Sequence, residues 1–375
     1  MKKTICLNMI VKNESAVILR CLESVKHLID YWVIVDTGSS DGTQTLIKQF
    51  LKDIPGELHE RPWVNFGYNR NEALSLIKGK ADYALFIDAD DRLVFSKDFS
   101  LPDLEADAYC ILQRETYKNT FREHLTFLLI KTDQDYYWKG VLHEGLFTET
   151  PKNTYVLKGV YNEYINDGAR SKDPQKIKKD IKTLKNGIKE EPTNARYRFY
   201  LAKTYWSIND YSSALKHFEK RAQMGEDPFE VYHSLLYIAM CQRYLHFPHE
   251  TFINNFCKAY AYRPSRAEAI YELARYFFEN RNYLLGYFCA KTAMSIPLSE
   301  DHLFVESWVY DWGSLLYTCL CAYGLGYMEE AYALLQSLLD KTTLPQEVRK
   351  SFQLDQLNKE LTQNNNLHRQ NLLVS

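Results

Sequence analysis

The sequence predicts two domains of different class, an α/β domain followed by an all-α domain. Over residues 1–165, apolar runs alternate with amphipathic segments, a pattern typical of strands and helices that take turns in a mainly parallel sheet. From about residue 172 the strand patterns stop and helical patterns follow one another. The chain also has only 15 Gly but 28 Tyr, which favours helices packed through bulky rings over a loop-rich β protein.

Length agrees with this division, and the overall charge gives no signal for a nucleic-acid or membrane partner, although a local basic face remains possible. At about 100–200 residues per domain, 375 residues predict two domains. The 46 basic and 48 acidic side chains give a net charge of −2, which lacks the basic excess of nucleic-acid-binding domains and of polybasic membrane segments. Because no run approaches the ~18 apolar residues of a membrane span, we expect a soluble, cytoplasmic protein.

The α/β half begins with a strand, not with a signal peptide. Two Lys precede an apolar run, but Asn8 interrupts it, Lys12 to Glu14 end it, and no small-residue cleavage site follows. Both Asp36 and Asp88 follow predicted strands, at the sheet edge where such folds bind ligands. The predicted strands are 5–11, 31–36 and 83–88, and the predicted helices are 15–26, 44–51 and 69–78.

The helical half contains a weak internal repeat. In 197–225, Ala202, Tyr205, Ala214 and Phe218 have the small–aromatic–small–aromatic spacing of a tetratricopeptide repeat. Pattern count favours this repeat over an unrelated helical bundle. Further copies are indicated around 256–264, 273–290 and, in degenerate form, 319–338.

The eight cysteines predict no metal or redox site. None forms a C-x-x-C pair, and the one close pair, Cys319 and Cys321, has no neighbouring Cys or His at zinc spacing. We therefore expect small buried apolar side chains in a reducing compartment.

The strongest chemical signal is the segment 86–91, F-I-D-A-D-D. Its Asp88 and Asp90 follow an apolar strand and can hold Mg²⁺ or Mn²⁺, which keep open positions for diphosphate oxygens. A lone D-x-D is more often a solvated turn. The D-x-D at 88–90, however, follows three polar segments, 12–14, 35–43 and 65–71. Turns and helix caps alone do not readily explain why all four occur in this order and spacing.

These motifs resemble those of family 2 glycosyltransferases, which have the GT-A fold. The resemblance covers roughly residues 4–165, and residues 138–144, W-K-G-V-L-H-E, are similar to a further motif of such proteins. Residues 167–174 resemble the junction between such a domain and tetratricopeptide repeats. The matching segments are I-x-x-N-M-I-V-K-N-E-S, V-D-T-G-S-S-D-G-T, N-x-x-x-N-R-N and F-I-D-A-D-D.

The resemblance implies a metal-dependent, inverting transfer of a sugar from a nucleotide sugar, with UDP-sugars favoured over GDP-sugars. Asp36 would hold the base, Arg70 would contact the base or the diphosphate, and Glu144 and Asp91 are candidates for the catalytic base. Asp91 capping a turn and Glu144 supporting its neighbour are the alternative interpretations. The implied donor-binding residues are Lys12, Asn13, Glu14, Asp36, Gly38, Ser39, Asp41, Arg70 and Asp88, and the implied ligands of Mn²⁺ or Mg²⁺ are Asp88, Asp90 and His143.

One residue departs from the family pattern. A His usually precedes D-G-A-R-S, and Asn166 stands in its place here. Asn does not titrate near neutral pH and is a poorer metal ligand. If that His acts in catalysis in relatives, we expect this chain to be altered or slow.

Three functions compete at this point. The first is an active glycosyltransferase whose acceptor is a protein, a peptide or a glycan, and the second is a tetratricopeptide scaffold beside an impaired sugar domain. A nucleotidyltransferase ranks last, since residues 11–15 lack the Gly-rich loop that it needs. We expect a GT-A domain over 1–170, a repeat domain over 171–345 that binds a protein partner or a second copy, and a polar tail over 346–375.

Overall fold

The computed structural model describes residues 2–117, 120–150, 153–301 and 303–354. They form two compact units. The first consists of the described residues up to 117 and from 121 to 210, and the second mainly of those from 211 onward. The predicted polar tail, 346–375, lies outside the described residues beyond 354.

The first unit is an α/β domain built on a mixed sheet. Within the described residues this sheet has eight strands in the order β3-β2-β1-β4-β7-β6-β10-β5, and β8 and β9 pair separately. The elements are β1 (Ile5–Val11), α1 (Ile18–Val25), β2 (Tyr31–Asp36), α2 (Thr43–Phe50), β3 (Gly56–Glu60), α3 (Phe66–Ser75), β4 (Tyr83–Phe86), β5 (Arg92–Phe95), β6 (Ala108–Tyr117), β7 (Thr120–Lys131), β8 (Tyr137–Lys139), β9 (Gly145–Phe147), β10 (Thr154–Tyr164), α4 (Lys176–Glu190) and α5 (Ala195–Ser207).

The expectation of a mainly parallel sheet needs correction. Strands β3, β2, β1 and β4 are parallel to one another, but β7 is antiparallel to β4, and β10 is antiparallel to β5 while parallel to β6. Of the parallel strands, β1, β2 and β4 are buried on both faces and therefore have the apolar runs that predicted them. The other strands carry polar residues along their length, as in G-E-L-H-E of β3, so no apolar run marks them.

The core of the first unit surrounds the parallel strands. Ile18, Cys21, Leu22 and Val25 on one face of α1 are completely buried against it, as their helical spacing predicts. Burial raises the pKa of the Cys6 thiol to about 12, so this core cysteine stays protonated. The described cysteines are all free thiols, and most are buried.

The second unit contains only helices among its described elements, which confirms the all-α prediction. Helices that follow one another along the chain pack against each other. Gly286 lets both α9 and α11 approach α10 closely, because a Cβ at this position would lie 2.8 Å from the Cys321 Sγ on α11 and 3.3 Å from the Phe278 N on α9. The helices are α6 (Tyr211–Ala222), α7 (Pro228–Tyr244), α8 (His249–Tyr262), α9 (Glu268–Glu279), α10 (Tyr283–Ser295), a π-helical turn (Val309–Gly313), α11 (Ser314–Gly324), α12 (Met328–Leu339) and α13 (Gln346–Leu354).

Four helix ends share one turn. After α5, α7, α9 and α11 the chain enters the left-handed region at Asn209, His246, Arg281 and Gly326. In each case the next N–H donates to the carbonyl five residues earlier, at 2.9–3.0 Å, which is the Schellman motif. Equivalent residues at successive hairpins are the mark of a repeat array.

The change from strands to helices falls between β10, which ends at Tyr164, and α4, which begins at Lys176. However, α4 and α5 belong to the first compact unit, which extends to residue 210. The three domain ranges given above therefore stay a prediction. Within the described part of the chain, no helix is both long and apolar enough to cross a membrane.

Candidate functional site

The predicted segments meet at one edge of the sheet. Val11 is in register with Asp36, the last residues of β1 and β2, and Asn8 is in register with Phe86, the last residue of β4. The segments that follow these three strands therefore emerge side by side, where parallel α/β sheets bind ligands.

The first two segments interlock through hydrogen bonds. The Asn13 N–H donates to the Ser39 Oγ at 2.7 Å, and the Ser40 N–H donates to the Asn13 Oδ1 at 2.8 Å. The Glu14 N–H donates to the Thr43 Oγ1 at 2.9 Å. Asn13 occupies the left-handed region, with φ of 56°, which Asn tolerates better than most residues. The loop is thus held in one shape by its own polar side chains.

Asp36 offers a buried acceptor at this edge. Its Oδ1 accepts the N–H groups of Gly38 and Ser39 at 2.8 and 2.7 Å. Its Oδ2 is buried and has no hydrogen-bond partner. A buried carboxylate oxygen without a partner is costly, so this atom is suited to accept a hydrogen bond from a ligand.

Asp41 fixes the start of α2. Burial opposes its charged form, but hydrogen bonds from Thr43 and Ser15 outweigh burial and lower its pKa to about 2. The Asp41 carboxylate is thus occupied by the Thr43 Oγ1 and by the N–H groups of Thr43 and Ser15.

Arg70 joins two of the predicted site residues. Its Nε donates to the Glu144 Oε1 and its Nη2 to the Asp88 Oδ1, both at 2.6 Å. Its guanidinium lies 4.9 Å from the centre of the Trp138 ring. Arg70 and Glu144 are both nearly buried, whereas Asp88 is half exposed. The structure therefore brings together Arg70, Asp88 and Glu144, three of the predicted site residues.

Helix α3 is clamped to the segment that carries Trp138. Asn71 exchanges two 2.7 Å hydrogen bonds with the Trp138 backbone. Gly67 approaches so closely that a Cβ there would lie 2.5 Å from the Gly140 oxygen. This explains why the N-x-x-x-N-R-N and W-K-G-V-L-H-E motifs occur together, since one positions the other.

The acidic segment after β4 points its carboxylates in different directions. The Asp90 Oδ2 accepts the Gly168 N–H at 3.1 Å. Asp91 is 2% exposed, and its Oδ2 accepts the Asn162 Nδ2 at 2.7 Å while its Oδ1 has no partner. Sequence reasoning missed Asn162, which lies on β10 and has no motif around it.

Residues 167–169 cover the acidic segment. The Ala169 N–H donates to the Glu14 Oε2 at 3.2 Å, next to the contact of Gly168 with Asp90. Burial raises the pKa of Glu14 to about 7, with the nearby Asp90 contributing in the same direction. Burial also raises the pKa of Asp90. The two backbone N–H groups thus offset part of the charge that these carboxylates concentrate.

Arg20, a residue that the motifs did not indicate, ties this cover to the acidic segment. Its Nη1 and Nη2 donate to the two carboxylate oxygens of Asp167 at 2.9 and 2.6 Å, and Nη2 also donates to the Asp90 carbonyl at 2.5 Å. In the sequence, Arg20 is one polar residue on the outer face of an amphipathic helix, which gives no signal of this contact.

We expect Arg20→Ala to lower transfer activity about tenfold, which corresponds to ~1.4 kcal/mol in the barrier, with little change in stability. Both Arg20 and Asp167 are about one-third exposed, so the pair contributes at most ~1 kcal/mol to folding. Activity is expected to fall because residues 167–169 would no longer be held over Asp90. Steady-state kinetics and thermal unfolding of Arg20→Ala, Asp167→Asn and the double variant test this; additive losses would contradict it.

His143 lies in a basic environment. Its ring stacks on Tyr200 at 4.1 Å, and its φ is 54°. Burial, together with Arg170, Arg196 and two lysines, lowers the pKa of His143 to about 3. Within the described residues, no group of three or more His, Cys, Asp or Glu side chains is close enough to hold a metal ion. The set Asp88, Asp90 and His143 therefore stays a prediction.

Asn166 also adopts the left-handed region, with φ of 59°, and its Oδ1 accepts the Ser171 hydroxyl. The residue that replaces the expected His thus closes the turn that leads to residues 167–171. Asn favours this conformation more than most residues do.

The buried carboxyl of Asp91 is expected to make stability depend on pH. Burial, reinforced by Asp88, raises its pKa from 3.8 to about 8. The folded state therefore holds a proton that the unfolded state releases above about pH 4, so stability falls as pH rises from 4 to 8. Relative to Asp91→Asn, the wild-type free energy of unfolding should fall by up to ~1.4 kcal/mol per pH unit. Urea unfolding of both proteins between pH 4 and 8 measures this difference. The prediction is contradicted if the free energies of unfolding of wild type and Asp91→Asn depend on pH in the same way.

Comparison with known proteins agrees with this geometry. Residues 6–101 match the model of the family described as Glycosyl transferase family 2. A segment of 117 residues is 32% identical to a TPR repeat-containing protein of Synechococcus elongatus, covering 30% of this chain and 28% of that protein. A segment of 233 residues is 25% identical to the SPbeta prophage-derived glycosyltransferase SunS of Bacillus subtilis, covering 58% of this chain and 53% of that protein.

The chain thus spans about half or less of the length of these relatives. Among solved structures, S. aureus TarS 1–349 in complex with UDP-GlcNAc is 14% identical and aligns over 68% of this chain and 90% of that one, with a TM-score of 0.37. The family match covers β1 to β5 and with them Asp36, Arg70, Asp88 and Asp90. Residues 6–101 of this chain are therefore similar to the glycosyl transferase family 2 domain.

Proposed function

We propose that the protein is a glycosyltransferase that transfers a sugar from a nucleotide-sugar donor. The observation that supports this best is the position of the family 2 match, which includes the sheet edge where Asp36, Arg70 and Asp88 lie. The alternative, a scaffold with an impaired sugar domain, is not favoured, because Asp36, Arg70 and Asp88 are all present and Arg70 is hydrogen-bonded to Asp88.

The donor would lie along this edge. The unpartnered Asp36 Oδ2 would accept a hydrogen bond from the base, and the interlocked residues Lys12–Glu14 and Gly38–Asp41 would line the base and ribose. Arg70 would contact the diphosphate once its hydrogen bond to Asp88 is broken. A UDP-sugar is favoured over a GDP-sugar as the donor.

A divalent cation, Mn²⁺ or Mg²⁺, fits the acidic segment. Asp88 is half exposed and Asp90 turns one oxygen to Gly168, so each carboxylate keeps an oxygen for a ligand. Mg²⁺ is usually held by one or two carboxylates, with substrate phosphates and water completing the shell; His143 would be a third ligand. Such a cation neutralises charge on the leaving diphosphate.

The acceptor hydroxyl must lose its proton to a carboxylate of this chain for an inverting attack. Glu144 and Asp91 are the proposed bases. Glu144 would have to exchange its contact with Arg70 for the substrate. Asp91 is 2% exposed and burial raises its pKa to about 8, so it would have to lose its proton, and residues nearby would have to move, before it could act as the base. The helical unit would bind the acceptor, which is a protein, a peptide or a glycan, or a second copy of the chain.

A donor panel tests this function. The full chain is incubated with UDP- and GDP-sugars, with and without Mn²⁺, and both donor hydrolysis and binding of the free nucleoside diphosphate are measured. Activity should need the metal and fall at least about a thousandfold in Asp88→Asn/Asp90→Asn. The exposed Asp98→Asn is the matched control. No donor binding under any condition, or full activity of the double variant, would contradict the proposal.

A further inference from the structure

Helix α4 carries a row of exposed lysines that the donor site does not use. Lys178, Lys182, Lys185 and Lys189 are spaced four, three and four residues apart, so they lie on one helix face. All four are exposed. At 1.5 Å per residue, the row is about 17 Å long.

The opposite face of α4 is fully used by the fold. Asp180, Leu184 and Gly187 are buried, and a Cβ at Gly187 would lie 3.1 Å from the Tyr197 ring. The helix is therefore fixed in the first unit with its lysines outward. It has no free apolar face to offer to the groove of a partner protein.

The row lacks the acidic partners of an ordinary solvated face. Among the described residues, no salt bridge involves any of the four lysines, whereas their neighbour Lys179 pairs with Asp173. Like charges three and four residues apart destabilise a helix, and exposed faces usually alternate in sign. This helix therefore carries a like-charge repulsion that no acidic side chain offsets in the described salt bridges, although the Lys185 Nζ lies 5.7 Å from the centre of the Tyr205 ring.

The positive charge is concentrated around this row. Residues 170–203 contain 11 Lys and Arg but 4 Asp and Glu, a net +7, so the remainder of a chain of net −2 carries −9. A segment with this excess of positive charge is attracted to an anionic surface.

We propose that the lysine row docks the protein onto an anionic lipid bilayer. A bilayer is flat, as the row is straight, and each lysine near its surface interacts with headgroup phosphates as a point charge. Planar guanidinium groups and stacking rings, which single-stranded nucleic acids require, are absent from the row itself. The attraction is electrostatic, reversible and screened by salt, and it does not depend on the donor chemistry.

Vesicle cosedimentation of the full chain tests the proposal. The protein should pellet with phosphatidylcholine vesicles that contain about one-third phosphatidylglycerol, and not with pure phosphatidylcholine. Raising the salt from 50 to 500 mM should release it. Pelleting with neutral vesicles, or none with anionic vesicles at low salt, would overturn the proposal.

A charge-matched control separates the row from net charge. The variant K178Q/K182Q/K185Q/K189Q should lose roughly a hundredfold or more in vesicle partitioning, at about fivefold per lysine. The variant K52Q/K78Q/K97Q/K158Q removes four other exposed lysines of the same unit and should lose less than tenfold. Thermal unfolding checks that both remain folded. Equal losses, or row-dependent binding of soluble polyphosphate without vesicle binding, would overturn the proposal.

Discussion

Replacing Arg70 with Ala is expected to abolish donor binding and to destabilise the first unit by about 3–5 kcal/mol. The substitution leaves Glu144, with 10% of its side chain exposed, as an uncompensated carboxylate. It also removes the cation that lies over the Trp138 ring. Asp88 loses the same partner, but it is half exposed and water can solvate it. Urea unfolding and calorimetric binding of the nucleoside diphosphate measure the two effects.

Two variants make this result specific. Arg70→Lys keeps the charge but cannot donate to Glu144 and Asp88 in the geometry of a planar fork, so it should recover stability only in part. Arg92 pairs with Glu163 while about half exposed, and Arg92→Ala should cost less than ~1 kcal/mol. If Arg70→Ala unfolds at the same urea concentration as Arg92→Ala, the buried pair does not stabilise the unit.

Replacing Arg266 with Ala is expected to destabilise the second unit by about 3–5 kcal/mol. Arg266 is completely buried, and its guanidinium donates to both Glu268 oxygens at 2.9 and 2.7 Å, to Asp301, and to the carbonyls of Leu303 and Phe304. Its removal leaves a buried carboxylate and two carbonyls without this donor. Hydrogen exchange in α9, combined with urea unfolding of the full chain, measures the loss.

A second variant distinguishes the unpaired charge from the lost volume. Arg266→Met/Glu268→Gln fills the space and removes the charge of Glu268, while Asp301 keeps its pairing with Arg263. It should therefore be more stable than Arg266→Ala. Lys291, half exposed and paired with Glu330, provides the control in the same unit, and Lys291→Ala should cost much less stability than Arg266→Ala. Equal stability of Arg266→Ala and Lys291→Ala would show that the buried network contributes little.

Local sequence patterns predicted the parallel centre of the fold well. Strands β1 and β2 begin and end at the predicted residues, because each is an apolar run with a polar residue at its end. The D-x-D segment and Arg70 were predicted from motif order, and the structure places Arg70 against Asp88. The strand bounds depend on residues that are neighbours in the chain, and the site residues were recognised because their motifs resemble those of a known family.

Contacts between distant residues were not predictable in this way. Arg20 and Asp167 are 147 residues apart, and Asp91 and Asn162 are 71 apart. Each is an ordinary polar residue in its own segment, and only the closure of the sheet brings the pairs together. Strand β3 was missed for a related reason, since its pairing with β2, and not its own polar sequence, makes it a strand.

The repeated turns that end α5, α7, α9 and α11 have a consequence for how the helical half can change in length. Their left-handed residues, 209, 246, 281 and 326, are 37, 35 and 45 residues apart, so the last interval has absorbed about ten extra residues. In each turn, a carbonyl at the helix end accepts a hydrogen bond from an N–H five residues later, so donor and acceptor lie within the same six residues. Insertions between such turns therefore leave the joints intact, and whole hairpins can be gained or lost as modules without any new hydrogen-bonding partner.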